Sequence, residues 1–331
     1  TLLEYPDDLV QSLQNCKRPI ILVGADAIDS CSEVRSVAKK IGAVVVTTPF
    51  ARGLLPENSE ALIAAEFLCD DLDELSKLFE QSDLILGIGC RLSHNGSGGF
   101  AIKIPQDRFV HSYPDASVLN VNYSARWAIQ ATSEQMLNSL AQYCATARQQ
   151  CDGGWSQNEL AGWRKQILRK TGDTAIEPNW PDMEMTGWRP VVQKIRESLP
   201  DEAMLVTDTG NHQIYTRKYY EVRAARGLIF PQDFQSMGFG IPAAIGAALA
   251  EPTRPTVVLL GDGAFNMSAS ELTTVVRENI PLIIILINDG WLSQIRHQQV
   301  VSGASAKMSK LLLPNIKMYA DSIGMRYLAG G

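Results

Sequence analysis

The sequence predicts two doubly wound, Rossmann-like α/β domains, each built on a parallel sheet. Three observations lead to this fold class. Apolar runs of four to six residues alternate with helical patterns, which is typical of parallel strands covered by helices on both faces. The alternation lapses at 151–185 and then starts again. A length of 331 residues is also more than one ordinary core holds and suits two domains.

The first predicted domain covers residues 1–150. Its β-rich runs predict strands, and the patterns of helical period between them predict helices. The predicted strands are 19–24, 43–49, 83–89 and 117–122, and the predicted helices are 30–41, 73–81 and 133–149. This order of elements indicates a doubly wound domain.

Residues 151–185 are predicted to be a linker, because they carry two prolines at EPNWP and show no clear period. One helix is expected near 159–169. The tryptophans Trp155, Trp163 and Trp180 are expected to pack this segment onto a domain rather than to bind a ligand.

The second predicted domain covers residues 186–331. Its predicted strands are 203–208, 255–260 and 282–288, and its predicted helices are 189–198, 241–250, 269–279, 291–300 and 315–323. A doubly wound domain normally continues with another strand and helix after these elements. We therefore expect this domain to be truncated at its C-terminus.

The composition excludes several classes of partner. The net charge is −6 and no basic cluster stands out, so the sequence predicts binding neither to nucleic acid nor to an anionic membrane. No apolar run approaches the roughly 18–20 residues of a membrane span. The six cysteines form no CxxC pair, and the N-terminus has no signal-peptide pattern. A cytoplasmic protein with reduced thiols is expected.

The most informative motif is Gly261-Asp262-Gly263, which follows an apolar strand and precedes a helix. The next apolar strand ends at Asp289. If the two strands are parallel neighbours, the two carboxylates lie at the same edge of the sheet, about 5 Å apart. They would repel each other unless a cation lay between them, and Mg²⁺ suits such a site. The alternative is a pair of acidic turns at a sheet edge.

The surroundings of this motif favour a phosphate ligand. The glycines allow phosphate oxygens to approach the backbone, and the N-terminus of the following helix would point at them. Ser268-x-x-Glu271 fits a capping box and predicts where that helix starts.

These motifs resemble those of thiamine-diphosphate-dependent enzymes of the acetolactate synthase and 2-oxo acid decarboxylase family. Asp289 follows Asp262 by 27 residues, the spacing found in those enzymes. The resemblance implies that Asp262 and Asp289 are Mg²⁺ ligands and that the Trp291 carbonyl is a third. It also implies that Gly261, Gly263 and Ala264 contact the cofactor. Asp at 289 departs from the Asn of many members but resembles the catabolic acetolactate synthases.

Two further segments extend the resemblance. QSMGFG places Gln235, Ser236 and Met237 at the cofactor, with Met237 where a bulky apolar residue supports the bent form of thiamine diphosphate. DTGNH places Asn211 and His212 at the diphosphate. The alternative interpretations are a core methionine and a histidine that caps a helix or lies at the surface.

The first half of the chain resembles the middle domain of the same family, through KRPIILVGADA, VVVTTPFARGLLPE and SDLILGIGCRL. The family's catalytic glutamate belongs to a separate pyrimidine-binding domain, which these residues do not include. The resemblance therefore implies a chain that is incomplete for catalysis, with the pyrimidine-binding domain elsewhere on the full-length chain or on a partner chain. The catalytic residues stay unassigned, and a homo- or hetero-oligomer is expected.

The resemblance implies a carbon–carbon lyase or transferase that acts on a small 2-oxo acid. Gln294 and Gln298 are candidate substrate residues, because biosynthetic acetohydroxyacid synthases have a tryptophan at the position of Gln298. A more polar pocket wall argues against that subgroup. Gln294 and Arg296 could equally be solvated helix residues.

Two alternatives from other classes remain. The first is a nucleotide- or flavin-binding oxidoreductase module, since Gly238-Phe-Gly240-Ile-Pro-Ala243 fits GxGxxA. However, DFQSM rather than an apolar strand precedes it, and the second candidate, Gly87-Ile-Gly89, has Leu92 where a small residue is needed. Some relatives bind FAD in the middle domain, but no motif here supports FAD. The second alternative is a non-catalytic cofactor-binding subunit.

Overall fold

A computed structural model describes residues 3–64, 66–67, 72–147, 154–172 and 188–329. The chain forms two compact units. Unit 1 comprises Thr1–Ala175 with Val222–Arg226, and unit 2 comprises Ile176–Glu221 with Gly227–Gly331. Each unit is a parallel-sheet α/β domain, which confirms the predicted fold class. The predicted domain limits at 150 and 186 stay predictions.

Unit 1 contains a six-stranded parallel sheet with the order β3-β2-β1-β4-β5-β6. Its elements are α1 (Asp7–Asn15), β1 (Pro19–Val23), α2 (Cys31–Ile41), β2 (Val44–Thr47), β3 (Leu62–Ala64), α3 (Leu72–Glu80), β4 (Leu84–Ile88), β5 (Phe109–Tyr113), β6 (Trp127–Gln130), α4 (Ser133–Ala147) and α5 (Gln157–Gly172). β1 and β4 are buried along their whole length. One face of the sheet packs on α2 and α4, and the other packs on α3 and α5. Helices on both faces explain why these strands are apolar at every position.

The prediction of a strand at 117–122 is wrong. Residues Ala116–Val118 form a 3₁₀ turn, and the strands that continue the sheet beyond β4 are β5, before this turn, and β6, after it. β5 lacks an apolar run because His111 and Ser112 are buried in it. The His111 ring hydrogen-bonds the Cys90 carbonyl at 2.7 Å, and the Ser112 hydroxyl donates to the Ala131 carbonyl at 3.4 Å. Buried polar side chains that are held by hydrogen bonds in this way hide a strand from a hydrophobicity pattern.

The helix predicted near 159–169 is present as α5, which belongs to unit 1. Its Ile167 is buried in the core beneath the sheet. Trp155 donates from Nε1 to the Pro19 carbonyl at 3.0 Å, and the Arg18 guanidinium lies 4.1 Å from the centre of its ring. Trp163 packs partly buried against the same core, as predicted, and Trp180 lies outside the described residues.

Unit 2 contains a four-stranded parallel sheet with the order β10-β9-β7-β8. Its elements are α6 (Trp188–Glu197), β7 (Met204–Thr207), α7 (Asn211–Tyr219), β8 (Leu228–Ile229), α8 (Gly240–Ala250), β9 (Thr256–Gly261), α9 (Asp262–Ser268), α10 (Leu272–Arg277), β10 (Leu282–Ile287), α11 (Ser293–Val301) and α12 (Ile316–Ile323). α8, α9 and α10 pack on one face of this sheet. Asp208, Asp262 and Asp289 follow the carboxyl ends of β7, β9 and β10, so all three lie at one edge of the sheet.

The helix predicted at 269–279 begins earlier than expected. α9 starts directly at Asp262, a 3₁₀ turn follows at Ala269–Glu271, and α10 continues to Arg277. Ser268 therefore lies at the end of a helix rather than at its start. Its hydroxyl donates to the Ala264 carbonyl at 3.2 Å, so the predicted capping box is wrong. Within the described part of the chain, no helix is long and apolar enough to cross a membrane.

Candidate cofactor site

A cavity of about 290 Å³ opens at the carboxyl edge of the sheet of unit 2. Its size is near the lower end of the ~300–1,000 Å³ usual for ligand pockets. Most of the predicted site residues line it, namely Asn211, His212, Gln235, Met237, Gly261, Asp262, Gly263, Ala264, Asp289, Trp291 and Gln294. The predicted Ser236 and Gln298 are exposed and are not among its lining residues. The cavity also includes Thr209, Gly210, Ile287, Leu292, Ser293 and Ile295, which the motifs did not single out.

Asp262 is the buried carboxylate of the cavity, with 2% of its surface exposed. Its Oδ1 accepts from the Gly263 N–H at 2.8 Å, and its Oδ2 accepts from the Gly290 N–H at 2.7 Å. Burial raises the pKa of Asp262, and the nearby Asp289 carboxylate raises it further, whereas these backbone N–H groups lower it. The environment therefore disfavours a bare negative charge here, and a bound cation would relieve that cost.

Asp289 is the exposed partner of Asp262. β9 and β10 are parallel neighbours with Ile287 opposite Gly261, as predicted, which brings the two carboxylates to the same edge. Asp289 Oδ1 accepts from the Trp291 N–H at 2.9 Å, and Oδ2 accepts from the Ser293 hydroxyl. These contacts hold the Asp289 carboxylate beside the loop that carries the Trp291 carbonyl.

The loop between β10 and α11 turns sharply at Gly290. Its φ of +74° lies in the left-handed region, which L residues with a Cβ adopt at a cost. The turn directs the Gly290 N–H at Asp262 and leaves residue 291 beside Asp289. Glycine adopts this turn without strain, and the turn joins the two carboxylates to one loop.

Asn211 and His212 form a buried polar wall of the cavity. The amide oxygen and amide nitrogen of Asn211 and the Nε2 of His212 have no hydrogen-bond partner among the described residues. Unpaired buried polar atoms are costly, so they indicate a place where a polar ligand binds. Burial lowers the pKa of His212 from 6.5 to about 4, against a hydrogen bond with the Asp208 backbone that raises it.

This pKa predicts a pH dependence of stability. The folded pKa lies below the unfolded value, so the contribution of His212 is present above pH 6.5 and is lost as the pH falls towards 4. The loss across this window is about 3 kcal/mol. We expect the free energy of unfolding of the wild type to fall by that amount, relative to that of His212→Gln, between pH 7 and pH 4.

The comparison of the two proteins is necessary because other groups act in the opposite direction. Burial raises the pKa of Asp208 and of Asp262, and groups with raised pKa values favour the folded state at low pH. Both carboxylates are retained in His212→Gln, so their effects cancel in the difference. Denaturant unfolding at half-unit pH steps measures it, and a difference that does not change with pH would contradict the pKa.

Gly263 keeps the floor of the cavity open. A Cβ at this position would lie 2.7 Å from Leu292 Cδ2 and 3.1 Å from Met237 Cε. The missing side chain therefore leaves room for an oxygen-rich ligand to reach the backbone between these two apolar groups. Met237 is half-buried at the cavity wall, as a residue that supports a bound cofactor would be.

Sequence reasoning missed Asp208, which does not line the cavity but holds two of its lining segments together. Its carboxylate is fully buried and accepts hydrogen bonds from the backbone N–H groups of Thr209 at 2.7 Å, Gly238 at 3.1 Å and Gly240 at 2.5 Å. It thereby ties the end of β7 to the segment that carries Met237. An aspartate directly after a buried strand, like Asp262, was the available signal.

The donor set of the cavity fits Mg²⁺ and a diphosphate. Two carboxylates and one backbone carbonyl provide oxygen ligands, which Mg²⁺ prefers, and phosphate oxygens would complete its shell. The set differs from a metal cluster made of side chains alone, and the described residues contain no group of three or more His, Cys, Asp or Glu that could hold a metal ion. The unpaired amide of Asn211 supplies a donor for an anionic ligand.

The glycine motifs of the dinucleotide alternative lack the required context. Gly238 precedes α8, but β8 ends at Ile229, so no strand leads directly into this motif. Gly87 and Gly89 lie at the end of β4, and the next α-helix in the chain is α4. Neither segment forms the strand–turn–helix unit that holds a dinucleotide.

Comparison with known proteins agrees with the geometry. A family model described as "Thiamine pyrophosphate enzyme, central domain" matches residues 7–140, and one described as "Thiamine pyrophosphate enzyme, C-terminal TPP binding domain" matches residues 208–329. Thiamine pyrophosphate is another name for thiamine diphosphate, so the cofactor inferred from the motifs is confirmed.

Curated relatives include two acetolactate synthases. The large subunit of the Haemophilus influenzae enzyme is 26% identical over 319 residues, which cover 95% of this chain and 54% of the relative. The large subunit of Escherichia coli isozyme 1 is 26% identical over 292 residues, covering 88% and 50%. A putative thiamine pyrophosphate-containing protein of Bacillus subtilis is 24% identical over 322 residues, covering 96% and 53%. The chain thus spans about half the length of these relatives, and it belongs to the thiamine pyrophosphate enzymes, with their central domain in its first half and their cofactor-binding domain in its second.

Proposed function

We propose that this chain binds the diphosphate of thiamine diphosphate together with Mg²⁺, and that the protein is a carbon–carbon lyase or transferase acting on a 2-oxo acid. The observation that carries the proposal is the pair Asp262 and Asp289, which follow adjacent parallel strands beside the unpaired polar wall of Asn211 and His212. The relatives named acetolactate synthases support the reaction class. The match to thiamine pyrophosphate enzymes does not favour a nucleotide- or flavin-binding oxidoreductase module.

Six residues of the cavity hold the cofactor and its metal ion in this proposal. Asp262, Asp289 and the Trp291 carbonyl hold Mg²⁺, and Asn211 donates to the diphosphate with His212 beside it. Met237 supports the cofactor from the apolar side. When bound, thiamine diphosphate supplies an electron sink for cleavage or formation of a bond next to a carbonyl.

Gln294 is the candidate substrate residue that the geometry supports. It lies in the first turn of α11 and lines the cavity, whereas Gln298 is exposed one turn later. A small 2-oxo acid carries a carboxylate and a carbonyl, both of which accept hydrogen bonds from an amide. We propose Gln294 as a contact for that acid and leave Gln298 as a candidate without support from this cavity.

The resemblance supports a site that is completed by other residues. We propose that the pyrimidine ring is bound by a separate domain, either elsewhere on the full-length protein or on a partner chain, and that the protein is an oligomer. A cytoplasmic location belongs to the same proposal. Cys31 and Cys90 form no disulfide, which agrees with a reducing compartment.

Calorimetric titration of the full-length protein tests the site. We expect thiamine diphosphate to bind with Mg²⁺ present and to lose its affinity in EDTA. Asp262→Ala should weaken the binding by at least about 100-fold, because even the residues that support a metal ligand cost 10–100-fold when mutated.

The matched control is Asp321→Ala, which removes an exposed carboxylate that pairs with Lys317 on α12. It should bind the cofactor like the wild type. If the wild type in EDTA and Asp262→Ala both bind the cofactor as tightly as the wild type with Mg²⁺, the metal assignment is wrong.

A separate assay distinguishes an enzyme from a non-catalytic cofactor-binding subunit. An enzyme is expected to release carbon dioxide from pyruvate when it is loaded with the cofactor, and a non-catalytic subunit is not.

A further inference from the structure

A segment far along the chain is paired with the loop of the candidate metal site. The Leu292 N–H donates to the Ser309 carbonyl at 2.8 Å, and the Leu311 N–H donates to the Gly290 carbonyl at 2.8 Å. These two bonds form an isolated antiparallel bridge between Trp291 and Lys310. The segment 309–311 therefore fixes both sides of residue 291.

The two hydrogen bonds of this bridge use neither the N–H nor the carbonyl of Trp291. In an antiparallel pair the residues directly opposite each other either exchange both hydrogen bonds or exchange none, and Trp291 and Lys310 exchange none. The Trp291 N–H donates instead to Asp289 Oδ1 at 2.9 Å. Its carbonyl is not used by the bridge, and it is the carbonyl that the proposed function gives to Mg²⁺.

The Trp291 ring lies within cation–π distance of α11 and of the segment 309–311. The Arg296 guanidinium of α11 lies 4.6 Å from the ring centre, and the Lys310 ammonium lies 5.9 Å from it. Both distances are within the range of cation–π attraction. The orientation of residue 291 thus depends on α11 and on the segment 309–311 together.

Ser309 anchors this segment. It is 1% exposed, and its hydroxyl lies 2.7 Å from the Ala306 carbonyl and 3.0 Å from Gln299 Oε1. The Ser309 hydroxyl has one proton, which it donates to the Ala306 carbonyl, and two lone pairs. With the oxygen and nitrogen of the Gln299 amide exchanged, the Gln299 NH₂ group donates to one of those lone pairs. Gln299 is on α11, whose first residue, Ser293, donates to Asp289.

We propose that Ser309 is a positioning residue for the metal site, because it holds the segment 309–311 against the loop 290–292 so that the Trp291 carbonyl is presented to a divalent cation. The inference rests on the proposed function of the same site. It adds a residue 18 positions beyond Trp291 that contacts neither the metal nor the cofactor. Ser309 lies outside the described sheet of unit 2, and its hydroxyl bonds the Ala306 carbonyl and the Gln299 side chain rather than a strand.

The test is Ser309→Ala with Ser302→Ala as its matched control. Ser302 is an exposed serine whose hydroxyl donates to the Gln299 carbonyl at 2.9 Å, so it removes a similar bond away from the bridge. In the full-length protein we expect Ser309→Ala to lower the affinity for Mg²⁺, measured by titration in saturating thiamine diphosphate, by about tenfold. With Mn²⁺ in place of Mg²⁺, its electron paramagnetic resonance spectrum should change shape, and Ser302→Ala should match the wild type in both measurements.

A second pair of variants acts on the bridge through the backbone. Leu311→Pro removes the N–H that donates to Gly290, and Lys310 already has an extended conformation that tolerates a following proline. Leu312→Pro is its control, because Leu312 is 97% exposed. We expect Leu311→Pro to reproduce the weaker Mg²⁺ binding and the altered Mn²⁺ spectrum, and Leu312→Pro to leave both unchanged.

The outcomes separate this inference from the proposed function. Circular dichroism first establishes which variants are folded, and either folded variant suffices for the test. If the wild type binds metal, Asp262→Ala does not, and a folded Ser309→Ala or Leu311→Pro behaves like the wild type, then the positioning role is wrong and the metal site stands. If the wild type shows no metal-dependent binding, the proposed function and this inference are overturned together.

Discussion

Replacing Asp208 with alanine should lower the free energy of unfolding by about 3 kcal/mol or more and also weaken the binding of thiamine diphosphate. The carboxylate is fully buried and is the acceptor for the backbone N–H groups of Thr209, Gly238 and Gly240. Alanine leaves these three donors without their acceptor, and each buried unpaired donor costs about 1–3 kcal/mol. Denaturant unfolding and calorimetric titration measure the two effects.

The effect on binding follows from where the three donors lie. Gly238 and Gly240 flank the residue before α8, and Met237 directly precedes them at the cavity wall. Releasing them frees the segment that supports the cofactor. Thr209 donates from its hydroxyl to the Ser236 carbonyl at 3.2 Å and leads into the polar wall that begins at Asn211. One substitution therefore loosens both the segment that carries Met237 and the start of the polar wall.

Asp208→Asn separates the charge of this residue from its size. The amide keeps one oxygen, which can still accept from Thr209 and Gly238, but its NH₂ group faces the Gly240 N–H. Two donors that face each other are unfavourable, so we expect a loss of stability between those of the wild type and Asp208→Ala.

The control for both variants is Glu202→Ala. Glu202 is an exposed carboxylate just before β7, whereas Asp208 directly follows the same strand. We expect its free energy of unfolding and its cofactor affinity to equal those of the wild type. Equal stabilities of Asp208→Ala and Glu202→Ala would show that the three backbone bonds contribute little.

The parts of the fold that could be predicted from sequence are those with a local cause. β1, β4 and β9 are apolar runs because helices cover both faces of a parallel sheet. β10 is also an apolar run, although it is a half-exposed strand at the end of the described sheet. Residues 261–263 and 289 could be placed at the ends of two strands because strand ends and glycines leave a recognisable spacing in the sequence. They line one cavity, and their role in it stays a prediction. Their meeting at one edge follows from the right-handed βαβ connection.

The parts that could not be predicted depend on partners distant in sequence. β5 was missed because buried His111 interrupts its apolar run, and the hydrogen bond of its Nε2 to the Cys90 carbonyl, 21 residues away, leaves no periodic signal. Asp208 contacts glycines about thirty residues later, and Ser309 contacts the loop at 290–292 through its backbone carbonyl. Backbone bonds do not depend on residue type, so no pattern of side chains reveals them.

In unit 1 the largest expected effect is that of Gly24→Ala, which should lower the free energy of unfolding by about 3 kcal/mol. Gly24 follows β1 at the centre of the sheet, and its N–H donates to the Ile88 carbonyl at 2.9 Å. A Cβ at this position would lie 2.1 Å from the Gly89 carbonyl oxygen and 2.5 Å from the Cys90 Cα. Both are backbone atoms, so no change of rotamer can relieve the overlap, and β1 and β4 would have to separate.

Gly162→Ala is the matched control because it is the same chemical change in the same unit. Gly162 lies inside α5, and a Cβ there meets no atom of the described chain within 4 Å. Alanine stabilises a helix interior by about 0.5–1 kcal/mol relative to glycine, so this variant should be slightly more stable than the wild type. Opposite signs for the two substitutions, measured by denaturant unfolding, would show that the close approach of β1 and β4 determines the cost at position 24. A neutral Gly24→Ala would instead mean that the ends of these two strands lie farther apart, and the sheet order around β1 would have to be revised.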